Sequence, residues 1–139
     1  MRMSLTDKGP IAAPPILSRL LQGVSETIQL WDGVVAATHW HLYHPTRVDG
    51  ADFYVDEEEL GHIHLDGSVH LATTIAMRKA LVARRLAQPF PYSGYIDWVQ
   101  STIRVPVDAE LALWMFGMNH RRLCGTHEAE LLAEIAERH

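Results

Sequence analysis

The stretch Glu59-Leu60-Gly61-His62-Ile63-His64-Leu65-Asp66-Gly67-Ser68-Val69-His70-Leu71 decides the fold. Two short runs flank Asp66-Gly67, a strong hairpin signal. Two registers are open. A two-residue loop pairs Leu65 with Ser68 and turns His70 away from His62 and His64. A three-residue loop, Leu65-Asp66-Gly67, pairs His64 with Ser68 and His62 with His70. All three imidazoles then share one face, and Ile63, Val69 and Leu71 share the other. The second register is preferred because it makes each face uniform. It also puts Gly67 at the left-handed position that such loops require.

Upstream of this hairpin, Val34–Leu42 is rich in β-branched and aromatic residues and reads as a strand. His44–Gly50 holds Pro45 and reads as a loop, and Ala51–Val55 as a second strand. Asp56–Glu59 reads as a solvated acidic turn. Nearer the start, Pro14-Pro15 opens a helix that Gly23 stops. Val24–Leu30 reads as a further strand. Downstream, Thr74 caps a helix running to Ala87, with Ile75, Val82 and Leu86 inside and Arg78, Lys79, Arg84 and Arg85 outside. Tyr95–Val105 is a strand ended by Pro106. Asp108 starts a helix with the stripe Leu111, Trp114, Met115 and Met118. Gly125 breaks it, and Thr126 caps a last helix on Leu131, Leu132, Ile135 and Ala136.

The predicted order is helix–strands–helix–strand–helix–helix. Short turns between successive strands make them antiparallel. The fold class is therefore α+β: two layers, an antiparallel sheet of four to six strands, and helices mainly on one face. Residues 1–13 read as a flexible lead and 14–139 as one domain.

The chain has 139 residues, 47% hydrophobic and 21% charged, which suits one globular domain. Twelve basic against seventeen acidic side chains leave a net charge of −5, which argues against a nucleic-acid partner. No apolar run approaches the ~18 residues of a membrane span. The first fifteen residues lack the apolar segment of a signal peptide, and the single Cys124 forms no internal disulfide. A cytoplasmic location follows as the expectation.

Six of the nine histidines fall between residues 39 and 70. Alternate residues of a strand share a face, so His39 pairs with His41 and His62 with His64. Imidazole is a common ligand for divalent ions. His62, His64 and His70 are the candidate metal set, for zinc, iron, nickel or manganese. Glu59 or the acids at 56–58 are candidates for a fourth ligand. The bland alternative is that these histidines serve the sheet surface or hydrogen-bond structurally. Gly33 followed after five residues by His39-x-His41 matches the opening of the first cupin motif. The glutamate due a few residues later is absent. There is no phosphate-binding loop, His-Glu-x-x-His or Gly-x-Ser-x-Gly.

Glu59-Leu60-Gly61-His62-Ile63-His64 with Asp66-Gly67, then Ser93-Gly94-Tyr95 leading into a strand and a helix after Asp108, resembles the luciferase-domain family (also called DUF5519). The likeness covers about residues 50–123. Tyr95 stands where that family usually has Trp. The resemblance implies an α+β fold of unknown function and no established reaction. It marks Glu59, Gly61, His62, His64, Ser93 and Gly94 as signature positions; with Tyr95 they are the ligand-binding candidates.

Two functions stay open. One is a non-catalytic module that binds a small molecule or a partner protein through the His62/His64 face. The other is a metal-dependent enzyme using His62, His64 and His70. Assembly with further copies of the chain is compatible with both.

Overall fold

Strand alternation places the functional face. In this computed structural model, which describes residues 4–138, six strands form one antiparallel sheet. They are β1 (Val34–Trp40), β2 (Val48–Val55), β3 (Glu58–His64), β4 (Ser68–Ala72), β5 (Gln88–Pro89) and β6 (Trp98–Thr102). Their order across the sheet is β1-β2-β3-β4-β6-β5. The helices are α1 (Arg19–Gln29), α2 (Ile75–Ala83), α3 (Pro106–Leu123) and α4 (Glu128–Glu137). The α+β class and the element order match the sequence reading.

One face of the sheet carries Phe53, Ile63, Leu71 and Val99, all buried in a core with Leu21 and Ile28 of α1 and with Met115 and Phe116 of α3. Phe116 meets Phe53 edge to face at 5.8 Å. Burying each such side chain contributes roughly 1.5–3 kcal/mol, so this face holds the layers together. Gly61 lies on the same face. A Cβ there would stand 2.5 Å from the His70 carbonyl oxygen and 3.0 Å from the Phe116 ring, so only glycine lets β3, β4 and α3 approach this closely.

Several local expectations are corrected. Gly23 does not stop α1, and residues 24–29 continue it instead of forming a strand. Leu17, Leu21, Val24 and Ile28 are buried at helical spacing, whereas Gly23 faces open space. Helix α1 also starts four residues after Pro15, leaving Ile16 exposed. In α2 the buried side chains are Met77 and Leu81, while Ile75 is half exposed. Arg78 is not a free outward charge, because its guanidinium donates to the carbonyls of Tyr95 and Trp98. Strand β6 begins only at Trp98, after turns over residues 93–97. Pro106 opens α3 rather than merely ending a strand. Asp108 caps that helix by accepting from the amides of Arg104 and Val105. In α4 Ala136 is exposed.

Of the stretch read as a flexible lead, residues 4–13 are described. A 3₁₀ turn, Leu5–Lys8, sits over the sheet, and the following chain runs beside β1. The Thr38 amide donates to the Ala12 carbonyl at 2.8 Å, the Thr38 hydroxyl to Ala13 at 2.6 Å and the Trp40 indole to Pro10 at 2.9 Å. These bonds occupy an edge strand that would otherwise expose its polar groups.

Candidate functional site

The hairpin takes the three-residue register. His62 lies opposite His70, and Ile63 opposite Val69. Gly67 has φ 94°, the left-handed turn position. Across the next strand His62 pairs with Asp52, and His64 with Gly50, which pairs in turn with His39. Opposed residues share a face. Asp52, His62 and His70 therefore form one row, and His39 and His64 the next, all on the side away from Phe53 and α3.

Two bulges bring in carboxylates that strict alternation would send elsewhere. Phe53 pairs with Gly61 but Tyr54 pairs with Glu59, so Leu60 is an extra residue in β3. The bulge turns Glu59 onto the histidine face. At the other end of β2, His39 pairs with Gly50 and Trp40 with Val48, which leaves Asp49 as the extra residue. Re-aiming a side chain is a common consequence of a bulge. The first is supported from beneath: the buried amide of Asn119 donates to the carbonyls of Leu60 and Ala72, each at 2.9 Å.

These carboxylates meet the rings. His62 Nδ1 lies 2.9 Å from Glu59 Oε2, and His64 Nδ1 lies 2.9 Å from Asp49 Oδ2. A carboxylate only accepts, so each Nδ1 carries the proton and each Nε2 presents a lone pair. Both lone pairs face the same atom. His70 Nδ1 is 2.9 Å from His62 Nε2 and 3.1 Å from His64 Nε2. The His39 ring stacks on His62 with centroids 4.0 Å apart. His39, His62 and His64 each offer a nitrogen within 4.8 Å of the other two, and so do Asp52, Glu59 and His62 with one donor atom each.

Burial holds the imidazoles neutral. It pushes His62 well below the usual histidine value, and His39 adds to the effect. His64 is lowered by burial and by His39, against the opposing pull of Asp49. His70 falls to about 3 through burial, His64 and His39. Neutral imidazole is the form that binds metal.

Beside the rings sits a lysine that the sequence reading left in a flexible lead. Lys8 Nζ is 2.8 Å from Glu59 Oε1 and 3.3 Å from Asp52 Oδ2. It also lies over the Tyr54 ring, 5.2 Å from the centroid. Burial pulls the Lys8 ammonium down, but Glu59 and Asp52 outweigh it and the net shift is upward. Burial and then Glu59 push the Tyr54 hydroxyl up. Burial also raises Glu59, against the opposing ammonium.

An aromatic wall closes the β4–β6 side. Phe90 meets the His70 ring edge-on at 4.5 Å, and Trp98 stands 5.8 Å from His62. Tyr95 packs on Phe90 and Trp98.

The structure brings Glu59, His62, His64 and His70 together, as the hairpin register implies. Glu59 is buried strand and not solvated turn, and it serves as partner to the His62 ring. Gly61 lies on the opposite face. Tyr95 joins the aromatic wall, while Ser93 and Gly94 are exposed in the turn before β6. His41 does not join His39: it lies beyond β1, with its ring 5.0 Å from that of His44. Sequence reasoning missed Lys8, Asp49, Asp52 and Tyr54 and did not connect His39 to the hairpin. For Asp52 a signal existed, a lone acid alternating with Ala51 and Phe53. For Lys8 and Asp49 there was none.

The segment that supplies most of this chemistry is similar to a known family. Residues 57–119 match the luciferase domain family. The match covers a little under half of the chain, from the acidic turn before β3 to Asn119 on α3. The matched segment holds Glu59, His62, His64, His70 and Trp98, whereas Lys8, His39, Asp49 and Asp52 lie outside it. No curated protein and no solved structure matches the chain. Among the described residues no helix is long and apolar enough to cross a membrane.

Proposed function

We propose that the histidine face binds a divalent transition-metal ion through His62, His64 and His70, with His39 beside them, and that the ion takes a small ligand at an open position. One observation carries this reading: the His62 and His64 rings are each held at Nδ1 by a carboxylate, with both Nε2 lone pairs aimed at His70. Metal-ligating histidines commonly donate their second ring N–H in this way, which fixes tautomer and orientation. Three nitrogens at about 2.0–2.1 Å from a tetrahedral ion stand about 3.3 Å apart. The contacts of 2.9 and 3.1 Å to His70 lie close to that spacing on two of the three edges, and donor nitrogens of His39, His62 and His64 lie within 4.8 Å of one another. Phe90 and Tyr95 supply an apolar wall for the bound ligand.

A binding role is favoured over catalysis because the nearby carboxylates are engaged. Glu59 serves His62 and Lys8, Asp49 serves His64, and Asp52 is fully buried beneath Lys8. The enzyme reading uses the same imidazoles but requires an accessible base beside them.

Metal content tests the proposal. Untagged protein, purified without chelator and analysed by inductively coupled plasma mass spectrometry, should hold close to one ion per chain. A His62→Ala/His64→Ala variant with unchanged circular dichroism should hold none. Failure of the wild type to retain zinc, iron, nickel or manganese after incubation would overturn the reading.

A further inference from the structure

Asp52 lies mid-strand with 0% exposure, and Glu59 beside it is 8% exposed. Two buried carboxylates need a compensating cation. Lys8 supplies it from an unusual place. Its 3₁₀ turn contains no buried residue, yet the ammonium reaches from it to both carboxylates. The match is incomplete. Lys8 reaches Glu59 Oε1 and Asp52 Oδ2, and His62 serves Glu59 Oε2. Asp52 Oδ1 is buried without a hydrogen-bond partner. It lies 2.7 Å from His39 Nδ1, which is likewise unpaired, and 3.6 Å from His62 Nδ1, with no aligned N–H directed at it. A fully buried acceptor without an aligned donor is uncommon and calls for an explanation.

We infer that Asp52 and Glu59 form a second cation site, for a hard divalent ion of the magnesium or manganese class, and that the Lys8 ammonium occupies it as a tethered substitute. Carboxylate oxygens and water are the donors such ions take. An ion can also engage Asp52 Oδ1, which Lys8 leaves unused. The turn at residues 5–8 then acts as a plug: divalent ion and Lys8 exclude one another. This site does not require the histidine centre to exist.

The test is Mn2+ binding, with free Mn2+ counted by electron paramagnetic resonance, on a His64→Ala/His70→Ala background that removes the centre proposed above. Adding Lys8→Met should tighten Mn2+ binding at least tenfold and yield one ion per chain. Adding Asp52→Asn as well should abolish it. A folded Lys8→Met protein that binds no more Mn2+ than its parent overturns the inference. If the substitution prevents folding, the wild type decides. Millimolar Mn2+ should release Lys8 and speed tryptic cleavage after it severalfold relative to cleavage after Lys79. An unchanged ratio overturns the inference.

Discussion

The two faces of the sheet are built from the same strands, yet they are held together by different physics. Beneath α1 and α3, Phe53, Ile63, Leu71 and Val99 pack by shape and area, and none has a polar group to satisfy. On the other side Asp52 and His62 are buried and His64 and His70 partly so, and most of their polar atoms meet a named partner, Asp52 Oδ1 being the exception. Burial on the first face is the source of stability. On the second it is a cost, offset by pairing and by keeping imidazoles neutral. The two faces should therefore fail in different ways.

The largest effect belongs to the apolar face. Phe116→Ala should lower the unfolding free energy by about 3–5 kcal/mol in urea titration while leaving the metal content of the folded fraction unchanged. Loss of metal from a fully folded variant would show that the faces are not separable. Asn119→Leu attacks the link between them. It strips the donor from the Leu60 carbonyl at the bulge and should cost about 2–3 kcal/mol. Because the bulge aims Glu59 at His62, metal affinity should also fall roughly 10–100-fold. Lost stability with unchanged affinity would make the bulge irrelevant to the site.

Acid should act through the polar face. Below pH 6.5 the unfolded chain takes up protons that His62, His64 and His70 refuse when folded. The metal-free protein should lose on the order of 1–2 kcal/mol between pH 7 and pH 6. The loss should continue on acidification until the folded values are reached, the His70 value lying near 3. Urea midpoints across pH measure this, and His70→Gln should flatten the dependence. A midpoint independent of pH would refute neutral burial. The smallest effect is expected at His41→Ala, within about 0.5 kcal/mol and without change in metal content, since that ring lies outside the cluster.

Much of the fold was legible because local signals agreed. Asp66-Gly67 marked the hairpin, and the alternation around it favoured the register, seen in the structure, in which His62, His64 and His70 meet. Helical spacing in 131–135 and the Thr74 cap likewise survived folding. Failures came where a punctuating residue was read without its surroundings. Gly23 looks like a stop, but it sits on the exposed side of a helix whose buried residues continue past it. The acids at 56–59 look alike on paper, yet Asp56 is exposed in the turn while Glu59 is buried in β3, where the bulge at Leu60 aims it at the histidines.

The sequence by itself determined the α+β class and narrowed the hairpin to two registers, favouring the three-histidine face, because period-two alternation and the backbone demands of Gly67 both point to it. Only the tertiary structure decided which acids hold the rings, that His39 joins from β1 and that Lys8 reaches across from residues distant in the chain. Bulges shift alternation by one, and long-range pairing joins segments with no shared local pattern. Neither leaves a mark that spacing alone can read.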